Sequence, residues 1–136
     1  MKTAILVTRG LVGITGLTQL VLGILFWTGH ATSLVNLHMS LGYLFVLASW
    51  ALAILCWRAG APGGLAAAVL VWGFVVAGLG ATQVGLLPGA LHWIIRVAHL
   101  LVGIAAMGLA GRLSARTRGV VSHGPPPEAQ PLHAPR

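Results

Sequence analysis

From Gly10 to Trp57 the chain carries no Asp, Glu, Lys or Arg, and after Arg58 it carries none again until Arg96. A soluble domain covers its surface with charge, at about 25% of its residues. Here 7% are charged, 57% are hydrophobic, and the mean hydropathy is +0.94. Each charge-free stretch exceeds the roughly 20 apolar residues that cross a bilayer. The sequence therefore predicts an integral membrane protein. Backbone groups in lipid must bond within their own segment, so the spans are predicted to be helices rather than strands.

Breaks at "TGHATS" (28–33), "RAGAPGG" (58–64) and "PG" (88–89) divide the apolar sequence, since Gly and Pro end helices. The expected spans are 4–27, 33–57 (a start at Leu37 also fits), 65–87 and 90–113. Short connections between four helices predict an all-α fold, an up-down bundle occupying 1–113. The first apolar stretch, from Gly10 to Trp27, is longer than the roughly 7–15-residue core of a signal peptide and reads as a retained helix. From 114 to 136 the sequence turns polar and Pro-rich, which predicts a disordered cytoplasmic tail; His123 and His133 lie in it and are given no role. The lone Cys56 has no partner for an internal disulfide.

Lys2, Arg9, Arg58, Arg112, Arg116 and Arg118 fall at the N-terminus, the second connection and the C-terminal flank. The positive-inside rule then places both termini in the cytoplasm, in a multi-pass protein of the cell inner (plasma) membrane. The net charge of +7 is a topology signal, compatible with anionic lipid and not read as nucleic-acid binding.

Two polar words recur in this apolar text. "GLTQ" at 16–19 matches "GATQ" at 80–83, and "HMSLG" from His38 matches "HLLVG" from His99. Aligning Gln19 with Gln83 and His38 with His99 needs only a short gap between them. The bundle is thus expected to consist of two repeated helical hairpins in the same orientation. Helical phase sorts the residues further. His92, Arg96, His99 and Gly103 share one face of the fourth helix. Val35, His38, Gly42, Phe45 and Ser49 share one face of the second. Arg9, Val12, Gly16, Gln19 and Gly23 do so on the first, and Gly73, Val76, Gly80, Gln83 and Leu87 on the third. Polar groups avoid lipid and glycines permit close approach, so these stripes are expected to face the bundle axis. His38 and His99 fall in the outer half of the membrane, with His30 and His92 near its outer surface.

Two imidazoles reaching inward from opposed helices suit the axial positions of a haem iron. The expected metal ligands are His38 and His99, holding one bis-His haem b per chain. Gly42 and Gly103, one turn beyond each histidine, are expected to leave room for the porphyrin edge. Arg96 is placed to pair with a propionate through its forked guanidinium, or else snorkels to the interface. Gln19 and Gln83 read as groups that orient ligands or as hydrogen bonds between helices. His30 and His92 read as interfacial residues. A histidine in a membrane helix can also serve only as interhelical glue. Glu128, in the tail, is the sole acidic residue, which argues against a carboxylate di-iron centre, acid–base hydrolysis and carboxylate-coupled transport. The histidine positions also match no tight zinc or copper spacing.

With His38 on the second helix and His99 on the fourth, residues 4–113 resemble the b-type cytochrome four-helix bundles. They are similar in architecture to one half of a haem A synthase, where paired histidines on those helices hold a haem near the outer side. The synthase pattern has a glutamate shortly before its helix-two histidine and a basic residue directly after it; "VNLHMS" has neither. The resemblance thus implies a haem-binding fold without the synthase's oxidation of haem side groups.

The expected function is a small membrane cytochrome b subunit, without activity alone, that relays electrons within a larger respiratory or redox complex. Its partners would be other membrane subunits of that complex, a quinol or an outer-side cytochrome, and the lipid bilayer. The alternative is a cofactor-free structural or assembly subunit. A channel is disfavoured, because "FVLASWALAILCW" offers only Ser49 as a polar group along that stretch of the second helix.

Overall fold

The computed structural model describes residues 1–122. They form four long helices, α1 (Lys2–Trp27), α2 (Val35–Arg58), α3 (Gly63–Thr82) and α4 (His92–Ser122), with single 3-10 turns at Thr32–Leu34 and Gln83–Gly85. No strand occurs among the described residues. All four helices are long and apolar enough to cross a membrane. Leu6, Ile14, Leu17, Leu47, Val71, Phe74 and Leu101 are exposed on their outsides. Trp27, Trp57 and Trp93, also exposed, sit at or beside helix ends.

The expected element boundaries hold within a few residues except at two places. The third helix ends at Thr82 instead of continuing to Leu87, so Gln83 opens a 3-10 turn. Leu87 there has a left-handed φ of 45°, which no α-helix accommodates. The fourth helix continues past Leu113 to Ser122, through residues expected to begin the tail. Ser114 and Thr117 are buried there and bond back to the carbonyls of Ala110 and Leu113 at 3.0 and 2.9 Å. The remainder of the expected tail, with His123, Glu128 and His133, lies outside the described residues.

Helices α1 and α2 close with matching stops. After α1, the amides of Gly29 and His30 return to the carbonyls of Phe26 and Leu25; after α2, those of Gly60 and Ala61 return to Trp57 and Cys56. Gly29 and Gly60 take φ values of 79° and 92°, the left-handed geometry that this double-bonded stop demands. The "TGH" and "RAG" breaks are therefore turns of one design.

Successive helices pack against one another, and α4 packs back against α1 to close the ring. Of the two diagonals, only α2 and α4 also touch. Within lipid the hydrophobic effect does not drive helices together, so close packing of small side chains and interhelical hydrogen bonds must do so. Buried Ala48, Ala53, Ala66, Ala106 and Ala110 let the backbones approach around Leu52, Cys56 and Leu113, which are fully enclosed. Two indoles tie helices together: Trp50 Nε1 donates to the Leu70 carbonyl at 3.0 Å, and Trp72 Nε1 to the Val102 carbonyl at 2.9 Å. Buried hydroxyls are satisfied within their own helices, as with Ser49 on Phe45 at 2.8 Å and Thr15 on Leu11 at 2.7 Å. This packed half lies toward the chain terminus and the α2–α3 connection. The other half, toward the two hairpin tips, is hollow.

Candidate functional site

The hollow half is a cavity of about 460 Å³ reached by all four helices. Its walls include most of the inward stripes that helical phase predicts, although Arg9 and Leu87, expected on those stripes, are exposed and do not line it. Gly16, Gln19 and Gly23 line it from α1, and Val35, His38, Gly42 and Phe45 from α2. Val76, Gly80 and Gln83 line it from α3 and its turn, and His92, Arg96, His99 and Gly103 from α4. Ser49 and Gly73, lower on the same stripes, are buried and border a far smaller void beneath it. Phe45 and Val46 line both, and so form the floor.

All seven expected cofactor-binding residues reach this one cavity. His38 and His99 face each other across it, with ring centroids 6.4 Å apart and ring planes inclined by 58°. The Nδ1 atoms of both rings are buried and have no hydrogen-bond partner. Gln19 Oε1 is the other buried side-chain atom in that condition among the described residues. Buried polar atoms are nearly always paired. Three orphans around a single cavity therefore mark the place where the chain's own groups stop meeting each other's needs.

The two hairpins are not equivalent around this pair. The Gln19 amide Nε2 donates to the backbone carbonyl of His38, and it fills the space beside Gly42: a Cβ on that glycine would lie 2.9 Å from it. Gly42 thus gives room to the Gln19 amide while also lining the cavity. Gly103 has nothing within 4 Å of a would-be Cβ and faces open space in the cavity wall. Gly16 and Gly80, the matched glycines of the repeat, receive different neighbours. Met107 Sδ and Phe45 press on Gly16, whereas His99 Cε1 lies 3.3 Å from a would-be Cβ on Gly80. Gln83 lines the cavity from a turn, not from a helix.

Arg96 is exposed at the cavity and is its only permanently charged lining residue. No carboxylate side chain exists among the described residues to pair with it. His92 lines the cavity but its Nδ1 donates to the Leu86 carbonyl at 3.1 Å, pinning the loop before α4. His30 is exposed and shares a 3.1 Å hydrogen bond with Thr28 Oγ1. Among the described residues no group of three or more His, Cys, Asp or Glu gathers at one point.

Two lining residues are not marked by the polar pattern of the sequence. Phe26 meets the His38 ring edge-on, centroids 5.2 Å apart at 73°, and Met107 underlies Gly16. Continuing the stripes by whole turns would reach both, since Phe26 lies seven residues beyond Gln19 and Met107 four beyond Gly103. Neither stands out, because an apolar residue in an apolar helix carries no contrast. Compared with known proteins, the chain matches no family model, no curated protein and no solved structure.

Proposed function

We propose that the chain is a small membrane cytochrome b, with one haem b held between His38 and His99, serving as an electron-relaying subunit of a larger redox complex. The observation that carries this reading is the separation of the two imidazoles. Their ring centroids stand 6.4 Å apart, a separation at which a nitrogen of each ring could reach one metal ion at the roughly 2.0–2.1 Å of metal–imidazole bonds. The cavity volume falls inside the roughly 300–1,000 Å³ typical of cofactor sites.

A haem held by two histidines would supply a one-electron couple and would not readily bind oxygen. Around it the chain's residues have distinct tasks. His38 and His99 would hold the iron from α2 and α4, Gly103 would leave room beside it, and Arg96 would pair with a carboxylate at the exposed margin. Gln19 holds the backbone of the His38 turn, and Gln83 offers an amide from the α3–α4 loop. The largely apolar walls would suit the flat apolar faces of a macrocycle. The likeness to b-type cytochrome bundles, and in architecture to half of a haem A synthase, is consistent with these roles.

The same reading makes this a multi-pass protein of the inner (plasma) membrane. Exposed apolar side chains cover the four spans, and exposed tryptophans sit near their ends, as at membrane interfaces. The Lys and Arg distribution assigns both termini to the cytoplasm, so the haem lies in the outer half, within reach of a quinol or an outer-side cytochrome. The cross-helix bonds of Gln19, Trp50 and Trp72 hold the bundle whatever occupies the cavity, which favours a cofactor-free assembly subunit as the second reading.

One experiment separates the two. Protein purified after haem-replete expression is expected to give a reduced-minus-oxidised spectrum with the sharp alpha band of a low-spin b-type haem, and that low-spin form is lost in both His38→Ala and His99→Ala even where haem is retained. A colourless wild type overturns the cytochrome, and a band surviving both substitutions overturns the ligand assignment.

A further inference from the structure

The repeat makes His38 and His99 counterparts, yet the structure holds them very differently. His38 is gripped twice from α1: Gln19 Nε2 donates to its carbonyl, and the Phe26 ring stands edge-on to its imidazole at 5.2 Å. Gly42 admits the glutamine by having no Cβ to obstruct it. None of this recurs around His99. Gln83 sits beyond the end of α3, the position matching Phe26 is Ala90, and the glycine matching Gly42 is Gly103, with nothing close to it. The cross-helix bond that α4 receives falls farther along, on Val102 from Trp72. The imidazole of His99 lies beside Gly80 and opposite His38, without a counterpart of the Gln19 bond or of the Phe26 ring.

We infer that Gln19 and Phe26 are positioning residues that make His38 the anchored imidazole of the pair and leave His99 the exchangeable one. The inference rests on the haem reading above. It gives the site a second capacity: a small neutral ligand for ferrous haem, of the carbon monoxide class, enters on the His99 side, where the cavity is open along Gly103. An imidazole held by its helix turn and by a ring contact has little freedom to swing away. One that lacks those two contacts keeps more of its freedom, and ordering is what ligation must overcome.

The test uses the full chain in detergent, reconstituted with haem, and follows three readouts: haem loss to an apoglobin scavenger, carbon monoxide binding to the reduced protein, and the ferric EPR spectrum. His99→Ala is expected to keep its haem and bind carbon monoxide fully, while His38→Ala loses haem at least about tenfold faster than His99→Ala. Gln19→Met, which keeps the length but removes the donor, is expected to speed haem loss about tenfold, the upper end for one hydrogen bond. It should also move the EPR g values, which report how the two imidazole planes are oriented and are insensitive to general stability. Phe26→Leu should move them as well. Thr18→Val, a neighbouring hydroxyl bonded to Ile14 within its own helix, should leave the spectrum unchanged. Equal haem retention in His38→Ala and His99→Ala, or unchanged g values in Gln19→Met and Phe26→Leu, overturns the asymmetry alone. A wild type that takes up no haem overturns the haem reading and this inference with it.

Discussion

The indole of Trp50 lies across Gly73 so closely that its Nε1 occupies the place where a methyl group on that glycine would stand. From there it donates to the Leu70 carbonyl at 3.0 Å, joining α2 to α3 midway along the bundle. Gly73→Ala must therefore displace a large side chain or push the two helices apart. A loss of about 1–3 kcal/mol is expected, as for other overpacked cores. Gly78→Ala, on the same helix with nothing near it, should be neutral or stabilising by about 0.5–1 kcal/mol. Reversible unfolding in mixed micelles measures both, and equal effects would show that Trp50 does not seat on Gly73.

Gly42 and Gly103 are expected to diverge under the same substitution. Gly42→Ala pushes on the Gln19 amide and weakens its bond to His38, so both stability and haem affinity should fall, the first by about 1 kcal/mol. Gly103→Ala meets no neighbour and should be tolerated, whereas Gly103→Leu projects into the cavity and should lose haem while the helices stay folded. Circular dichroism and haem titration on the three variants decide this.

Arg96→Gln is expected to lower haem affinity about tenfold, the worth of one charge-assisted hydrogen bond at a partly exposed site. The b-type band should keep its position, because the iron's ligands are untouched. Arg96→Lys should recover some of the loss, since an ammonium retains the charge but not the fork. An unchanged affinity in Arg96→Gln would return Arg96 to an interfacial role.

Cys56 is fully enclosed beneath the end of α2. In the folded protein it should resist maleimide labelling, and it should react promptly once denaturant opens the packed half. Rapid labelling without denaturant would contradict the close packing of Leu52, Cys56 and Leu113.

The four helices were legible because long apolar runs with little charge are divided by Gly- or Pro-containing breaks. The inward stripes were legible because Gln, His and Arg stand out against Leu and Val. The end of α3 was not, since "ATQVGLL" continues the apolar run and only the left-handed backbone at Leu87 betrays the turn. The α4 extension was hidden in the same way: Ser114 and Thr117 look like tail residues until their hydroxyls are seen to bond back into their own helix. The repeat brought His38 and His99 into register but concealed their inequality. Its short gap falls between Gln83 and His99, and because α3 stops at Thr82, Gln83 lies off the helix, so the Gln19 contact has no twin. The role of Phe26 was invisible because its partner lies on another helix.

A bundle solid at one end and hollow at the other divides its labour along its length. The solid end carries the indole ties, the alanine seams and the enclosed leucines, so helix association does not wait on anything in the cavity. On the cytochrome reading, such a chain is inserted and assembled first and loaded afterwards. Until loading, its hairpin tips are the region that opens at the smallest free-energy cost. Cells that make more of the chain than they can load would then hold a population frayed at one membrane face only, visible to proteases on that side and silent on the other.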